Sequence, residues 1–147
     1  MNPIPHKDLS KEAPRSPRQR ISGYVILART LDKCRADIAG KVGEYHFDCP
    51  LDNMLFGFKG VKGADFRTEV ETGAGDDAMA NWIEANGTEK SAQEVKEWSN
   101  EREKYSMYSD PEKREFFVAE CQKLGLDPAK TTLFDWLEAD DKASYSE

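Results

Sequence analysis

Apolar residues recur along this chain at intervals of three or four, the spacing that places side chains on one side of an α-helix. The clearest stripe lies between Gly23 and Ala39 and consists of Tyr24, Leu27, Leu31, Cys34 and Ile38. Gly40 follows and is suited to end a helix. No segment shows the sustained apolar and polar alternation typical of strands, and no repeat of fixed period occurs. The pattern therefore predicts an all-α fold of several short helices.

Start and stop residues predict the limits of further helices. Pro50 is suited to the first position of a helix that Gly60 ends. Ser91 with Glu94 three residues later matches a capping box. The pair Asp110 and Pro111 predicts another helix start, and a last helix surrounds Trp136.

Three regions are predicted along the chain. Residues 1–20 form an extended N-terminal arm, because Pro3, Pro5, Pro14 and Pro17 disfavour helix there. Residues 21–87 form a core helical domain. Residues 88–147 form a C-terminal helical extension that packs on this core.

Composition narrows the classes of partner and compartment. A charged fraction of 33% and a net charge of -7 argue against general attraction to nucleic acid or anionic lipid. No apolar run approaches the length of a membrane span, and the N-terminus lacks the apolar core of a signal peptide. We therefore expect a cytoplasmic protein without a membrane or nucleic-acid role. The three scattered cysteines fit reduced thiols better than a disulfide framework.

Charge is unevenly distributed along the chain. Residues 1–50 carry nine Lys and Arg against six Asp and Glu, whereas residues 51–147 carry twelve against 22. One explanation is that the two halves dock on each other by charge complementarity. The other is that the N-terminal arginines meet an anionic ligand.

The first candidate site is a set of cations with one tyrosine beside them: Arg15, Arg18, Arg29, Lys33, Arg35 and Tyr24. Arginine binds both oxygens of a carboxylate or phosphate at once, so this set predicts a site for a small anionic molecule. The alternative is a structural network in which the same arginines pair with acids such as Asp32 and Glu44.

The second candidate site surrounds the entry to the helix at Pro50. Cys49 lies at a helix N-terminus, where the macrodipole favours a thiolate, so it is a candidate nucleophile. His46 is a candidate general acid or base, and Tyr45 and Asp32 are further groups able to move a proton. The alternative is that Cys49 only caps the helix. No metal and no cofactor are expected, because no metal-ligand spacing is present.

The segments KEAPRSPRQRISGYVILARTLDKCRADIAG (11–40) and GEYHFDCPLDNMLFGFKG (43–60) resemble a small bacterial family known as domain of unknown function 5069. The resemblance covers residues 11–86, and residues 124–141 are similar to the longer members. It implies a bacterial, cytosolic origin but no activity. The positions that fall on the family pattern are Arg15, Arg18, Arg29, Asp32, Lys33, Arg35, Glu44, Tyr45, Cys49 and Asp52, whereas His46 lies in a variable part.

Three functions remain open from the sequence. The first is a cofactor-independent enzyme that binds a small organic anion with its arginines and moves a proton. The second is a non-catalytic anion-binding protein. The third is a protein interaction module in which the arginines are structural, and a homodimer is left open. Convergence of polar residues from separate segments favours the enzyme.

Overall fold

The computed structural model describes residues 4–145, which form seven α-helices and one 3₁₀ helix. The helices are α1 (Leu27–Ile38), α2 (Pro50–Lys59), α3 (Gly63–Val70), α4 (Asp76–Asn86), α5 (Ala92–Lys104), α6 (Arg114–Lys123) and α7 (Leu133–Tyr145), with the 3₁₀ helix at Met107–Ser109. Within this range there is no strand, only an isolated bridge between Ile21 and Tyr24. The predicted all-α fold is confirmed.

The first three residues of the predicted arm and the last two of the predicted extension lie outside the described residues. Among residues 4–145, every helix is too short or too polar to cross a lipid bilayer.

Several helix limits follow the local signals in the sequence. Pro50 is the first residue of α2, and Gly60 ends this helix in the left-handed conformation, with φ of 67°. Ser91 and Glu94 form the expected capping box at the start of α5. These signals are reliable because they act through neighbouring backbone groups and need no tertiary contact.

Two helices begin later than predicted. α1 starts at Leu27, because Ser22, Gly23 and Ile26 all have positive φ and turn the chain before it. Tyr24 therefore lies in a tight turn outside the helix, although it is fully buried. α6 starts at Arg114, because the side chain of Asp110 accepts a hydrogen bond from the Glu112 amide and stabilises a turn there.

The first helix occupies the centre of the molecule. α1 packs against α2 and α3, and nine of its residues are buried. Three of those nine are charged, namely Arg29, Asp32 and Lys33. A buried charge is costly unless it is paired. The segments that pack around α1 must therefore supply partners for these three side chains.

A connecting segment, residues 39–49, links α1 to α2 and lies against the N-terminal arm. The amide of Leu9 donates to the carbonyl of Lys41 over 2.8 Å. Gly43 has φ of 60°, and a Cβ there would come within 2.9 Å of the Leu9 carbonyl oxygen. The arm and the connecting segment are therefore in contact through their backbones. The connecting segment carries Tyr45, His46 and Cys49.

Candidate functional site

A cavity of about 840 Å³, which we name the main pocket, lies between the arm, α1, the connecting segment and α7. The arm contributes Leu9 and Ser10. Charged and polar side chains of the pocket are Arg29, Lys33, Glu44, Tyr45, His46, Cys49, Asp140, Ser144 and Tyr145. Apolar walls are given by Leu9, Leu51, Trp136 and Leu137. The pocket has the volume and the mixture of apolar and polar walls typical of small-molecule sites.

Arg29 is held by α7 on one side of this pocket. Its Nη1 and Nη2 donate to the two carboxylate oxygens of Asp141 over 2.7 and 3.1 Å. The hydroxyl of Tyr45 donates to the same carboxylate over 2.7 Å, and the guanidinium lies over the Tyr45 ring. Burial, then the hydrogen bond to Asp141, raises the pKa of Tyr45. Tyr45 is therefore a neutral phenol in a fixed orientation.

Lys33 is held by α2 and by the connecting segment. Its ammonium contacts Asp52 Oδ1 at 2.9 Å and donates to the His46 carbonyl and to Cys49 Sγ, each at 3.1 Å. Asp52 is fully buried and also accepts a hydrogen bond from the Thr30 hydroxyl. Three acceptors match the three hydrogens of the ammonium, so Lys33 fastens the connecting segment to α1.

Three ionisable side chains of the main pocket have no such partner. Within residues 4–145, no hydrogen bond or ion pair engages the side chains of Glu44, His46 or Asp140. Burial, then the charge of neighbouring Asp141, raises the pKa of Asp140. A carboxyl group with a raised pKa and no partner is able to exchange a proton with a bound molecule.

The other predicted site residues lie elsewhere. Arg15 bonds Asp32 and Asp76, with the Arg15 amide 2.7 Å from Asp32 and the guanidinium 2.8 Å from Asp76. Arg35 also donates to Asp76, over 2.9 Å. These four residues form one ion-pair network that joins the arm, α1 and the start of α4.

Arg18 and Tyr24 are likewise paired outside the main pocket. Arg18 meets Asp135 on α7 at 2.7 Å. The Tyr24 hydroxyl donates to Glu84 on α4 over 2.6 Å. Of the ten predicted site residues, the main pocket brings together Arg29, Lys33, Tyr45, His46 and Cys49, whereas Arg15, Arg18, Tyr24, Asp32 and Arg35 are not among its lining residues.

The sequence reading missed the contribution of α7, above all Asp140 and Asp141. A signal was present, because Asp141 stands four residues after Leu137 and Asp140 four after Trp136, at positions where the apolar stripe of α7 continues. A carboxylate in a stripe that faces the core requires a partner. Trp136, around which the sequence predicted the last helix, also lines the main pocket.

All three cysteines are free thiols, and they differ in exposure. Cys34 and Cys121 are buried, whereas Cys49 is half-buried in the wall of the main pocket. Burial raises the pKa of Cys34 to about 12. No group of three or more His, Cys, Asp or Glu side chains among residues 4–145 is placed to hold a metal ion.

A family model described as a domain of unknown function (DUF5069) matches residues 11–143, a range that contains the predicted site residues as well as Asp140 and Asp141. No curated protein matches the chain.

Proposed function

The chain belongs to the DUF5069 family, whose description assigns no activity, and we propose that it is a cofactor-independent enzyme that moves a proton on a small organic molecule bound in the main pocket. The observation that carries this proposal is the Asp140 carboxyl group, which lines the pocket, has a raised pKa and makes no side-chain hydrogen bond or ion pair within residues 4–145. Asp141, by contrast, forms a direct ion pair with Arg29, whose charge is the smallest of the influences on the pKa of Asp140 and does not reverse its rise.

Asp140 would be the general acid or base of the reaction. A carboxyl group is effective in proton transfer when its pKa lies closer to neutral than usual, because both protonation states are then accessible. Burial and the charge of Asp141 shift Asp140 in this direction. His46, whose ring has no hydrogen bond among the described residues, is the second group proposed to exchange a proton.

Tyr45 would orient the bound molecule. Its hydroxyl hydrogen is donated to Asp141, so the phenolic oxygen would act on a bound molecule as a hydrogen-bond acceptor. Arg29 fixes Asp141 through two hydrogen bonds, so the position of Tyr45 is set before a ligand enters. Cys49, the candidate nucleophile, is fastened by Lys33 at the same wall.

The prediction of an anionic ligand depends on Arg29 and Lys33, because these are the two predicted anion-binding residues that line the main pocket. Each already contacts a carboxylate of the chain, at 2.7 and 2.9 Å. A ligand carboxylate would share those cations with Asp141 and Asp52. This pairing disfavours anion recognition, and we propose as the ligand a small polar molecule whose apolar body contacts the apolar walls of the pocket.

The first test is a thermal-shift screen of small organic molecules that includes each organic acid beside its amide. Each compound that raises the Tm is then incubated with the protein in D₂O and followed by NMR for exchange of hydrogen into the compound. We expect a hit that stabilises the protein by mass action and exchanges a hydrogen faster with the protein than without it. Equal stabilisation by acid and amide would rule out anion recognition.

Asp140→Asn and Asp65→Asn form a matched pair for this test. Asp65 is an exposed carboxylate on α3, outside the main pocket. We expect Asp140→Asn to bind the hit but to lose hydrogen exchange by about a hundredfold or more, as when a general acid or base is removed, whereas Asp65→Asn behaves as the wild type. Exchange that survives in Asp140→Asn would refute the role of Asp140, and binding without exchange in the wild type would indicate a binding protein.

A further inference from the structure

A second cavity, which we name the basic pocket, lies between the turn before α1, the end of α4 and the start of α5. It has a volume of about 480 Å³ and is lined by Arg20, Ser22, Gly23, Glu84, Lys90, Ala92, Val95 and Lys96. None of these residues lines the main pocket. The basic pocket is therefore independent of the function proposed above.

The charge of this pocket is opposite to that of the chain. Three of its lining residues are cations, Arg20, Lys90 and Lys96, and one is an acid, Glu84. Arg20 also contacts Glu103, which is not a lining residue, at 3.4 Å, so Lys90 and Lys96 are the lining cations without an ion pair among residues 4–145. The chain as a whole has a net charge of -7. A concave surface that concentrates positive charge in an acidic protein attracts anions by its local field.

The buried ammonium of Lys59 lies beside Glu84, one of the lining residues of this pocket. Lys59 is 0% exposed, and its Nζ makes no hydrogen bond within residues 4–145. The nearest carboxylate oxygen is Oε2 of Glu84, 3.8 Å away, and the ring of Tyr24 lies 5.5 Å from the ammonium. A buried ammonium with three unused donor hydrogens is costly, so an acceptor that reaches it would be bound strongly.

Glu84 links the buried ammonium to the pocket. Glu84 lines the pocket, and its Oε1 accepts a hydrogen bond from the Tyr24 hydroxyl over 2.6 Å. Its Oε2 is the carboxylate oxygen nearest to the Lys59 ammonium. Glu84 is the one acid among the lining residues, and its ion pair in the structure is with Lys59. An anion with more charge and more acceptor oxygens than a carboxylate would satisfy Lys59 and the lining cations better.

We propose that the basic pocket binds the phosphoryl group of a small phosphorylated molecule, with Arg20, Lys90 and Lys96 as surface contacts and Lys59 as the buried donor. At neutral pH a phosphoryl group carries nearly two negative charges and three acceptor oxygens, which matches four cations and one acid. The cavity is larger than a phosphate ion, so the remainder of the molecule fits beside Val95 and Gly23.

The test measures binding of inorganic phosphate and of glycerol phosphate by thermal shift and isothermal calorimetry, against sodium chloride of equal ionic strength and against glycerol. The variants are Lys96→Gln and Lys59→Met in the proposed site, Glu84→Gln beside it, and Lys130→Gln as the control. Lys96 and Lys130 are both exposed, so this pair changes the same charge without disturbing the core.

We expect both phosphates to raise the Tm of the wild type above the effect of chloride, with glycerol phosphate the tighter of the two. Lys96→Gln and Lys59→Met each weaken binding by about tenfold or more, the loss expected for a charge-assisted hydrogen bond. Glu84→Gln tightens binding, because it removes the competing carboxylate, and Lys130→Gln has no effect.

Opposite effects from Lys59→Met and Glu84→Gln would not arise from loss of stability. General electrostatics is separated from a local contact by Lys96→Gln and Lys130→Gln, which remove the same charge at two exposed positions. Phosphate binding that equals that of chloride would overturn the proposal, as would equal weakening by Lys96→Gln and Lys130→Gln. Inorganic phosphate binding as tightly as glycerol phosphate would show a site for the free ion and refute the larger ligand.

Discussion

At the scale of single residues, the buried charges of α1 explain which side chains are structural and which are available to a ligand. Arg29 and Lys33 have buried carboxylate partners and use their hydrogens within the protein. Asp140 and His46 have no such partners among residues 4–145. Chemistry in the main pocket is therefore expected from the unpaired acids and bases rather than from the arginines.

The variant Arg29→Ala should destabilise the fold strongly. It leaves the Asp141 carboxylate buried without its cation, and breaking a buried pair in this way costs about 3–5 kcal/mol. Urea unfolding gives the free energy directly. The double variant Arg29→Met with Asp141→Leu should recover most of this loss, because it removes both charges. A single variant within about 1 kcal/mol of the wild type would contradict a structural role for the pair.

Cys49 should be the first thiol to react with iodoacetamide. It is half-buried in the pocket wall, whereas Cys34 and Cys121 are buried and burial raises the pKa of both. Mass spectrometry of the native protein after short labelling reads out the order. In Cys49→Ser the fast phase should disappear. Labelling of Cys34 at the same rate as Cys49 would show that the core opens faster than the reaction proceeds.

At the scale of elements, the helix ends and the connecting segment show where glycine is required. Gly40 and Gly43 both have positive φ, of 72° and 60°. A Cβ at Gly40 meets nothing within 4 Å, whereas a Cβ at Gly43 would lie 2.9 Å from the Leu9 carbonyl oxygen. Both positions require a residue that tolerates positive φ, but only Gly43 also lacks the space for a side chain.

Gly40→Ala and Gly43→Ala therefore form a matched comparison. Gly40→Ala should cost about 1 kcal/mol, the penalty for a left-handed alanine. Gly43→Ala should cost clearly more, because the arm must also move away from the connecting segment. Urea unfolding of both variants gives the two free energies. Equal losses would mean that the contact with Leu9 contributes nothing to stability.

The start of α1 illustrates how tertiary structure overrides a helical pattern. The apolar spacing continues through Tyr24, yet Ile26 has φ of 76° and the helix begins only at Leu27. A β-branched residue avoids this backbone region, so the surroundings must impose it. Ile26 is fully buried, and its amide donates to the Pro17 carbonyl over 2.8 Å.

At the scale of the whole molecule, ion pairs join the positive and the negative parts of the chain. Arg15, Arg18 and Arg29 pair with Asp76, Asp135 and Asp141 respectively. Each pair crosses from the first 50 residues to the rest. These ion pairs are contacts of the kind that the first of the two explanations, charge complementarity between the two halves, invokes.

Asp76 should make stability depend on pH in the acid range. The hydrogen bond from Arg15, with that from Arg35, lowers the pKa of Asp76 from 3.8 to about 2. A carboxyl whose pKa is lower in the folded state stabilises the protein above its unfolded pKa, and this contribution is lost as the pH falls towards the folded pKa. The loss is therefore expected between about pH 4 and pH 2.

The variant Asp76→Asn measures this contribution. At neutral pH it should lower the free energy of unfolding by about 1 kcal/mol, because the carboxylate is partly exposed and its ion pairs are screened by solvent. The difference from the wild type should shrink below about pH 4 and vanish near pH 2. Asp65→Asn serves as the exposed control. A difference that is constant with pH would show that Asp76 acts through packing alone.

The sequence by itself determined the all-α class, both ends of α2, the start of α5 and the region of α1 and the connecting segment that supplies about half of the lining residues of the main pocket. Those features depend on spacing and on backbone bonds between near neighbours, which are visible in one dimension. Tertiary structure alone decided which charged residues are paired. Arg29 and Asp141 stand 112 positions apart, and Tyr45 and Asp141 stand 96 apart. Only the tertiary structure brings α7 close enough to α1 and the connecting segment for these bonds to form. It also places Asp140 in the pocket without an ion pair among residues 4–145, because the partner of a buried charge is decided by distance in space and not along the chain.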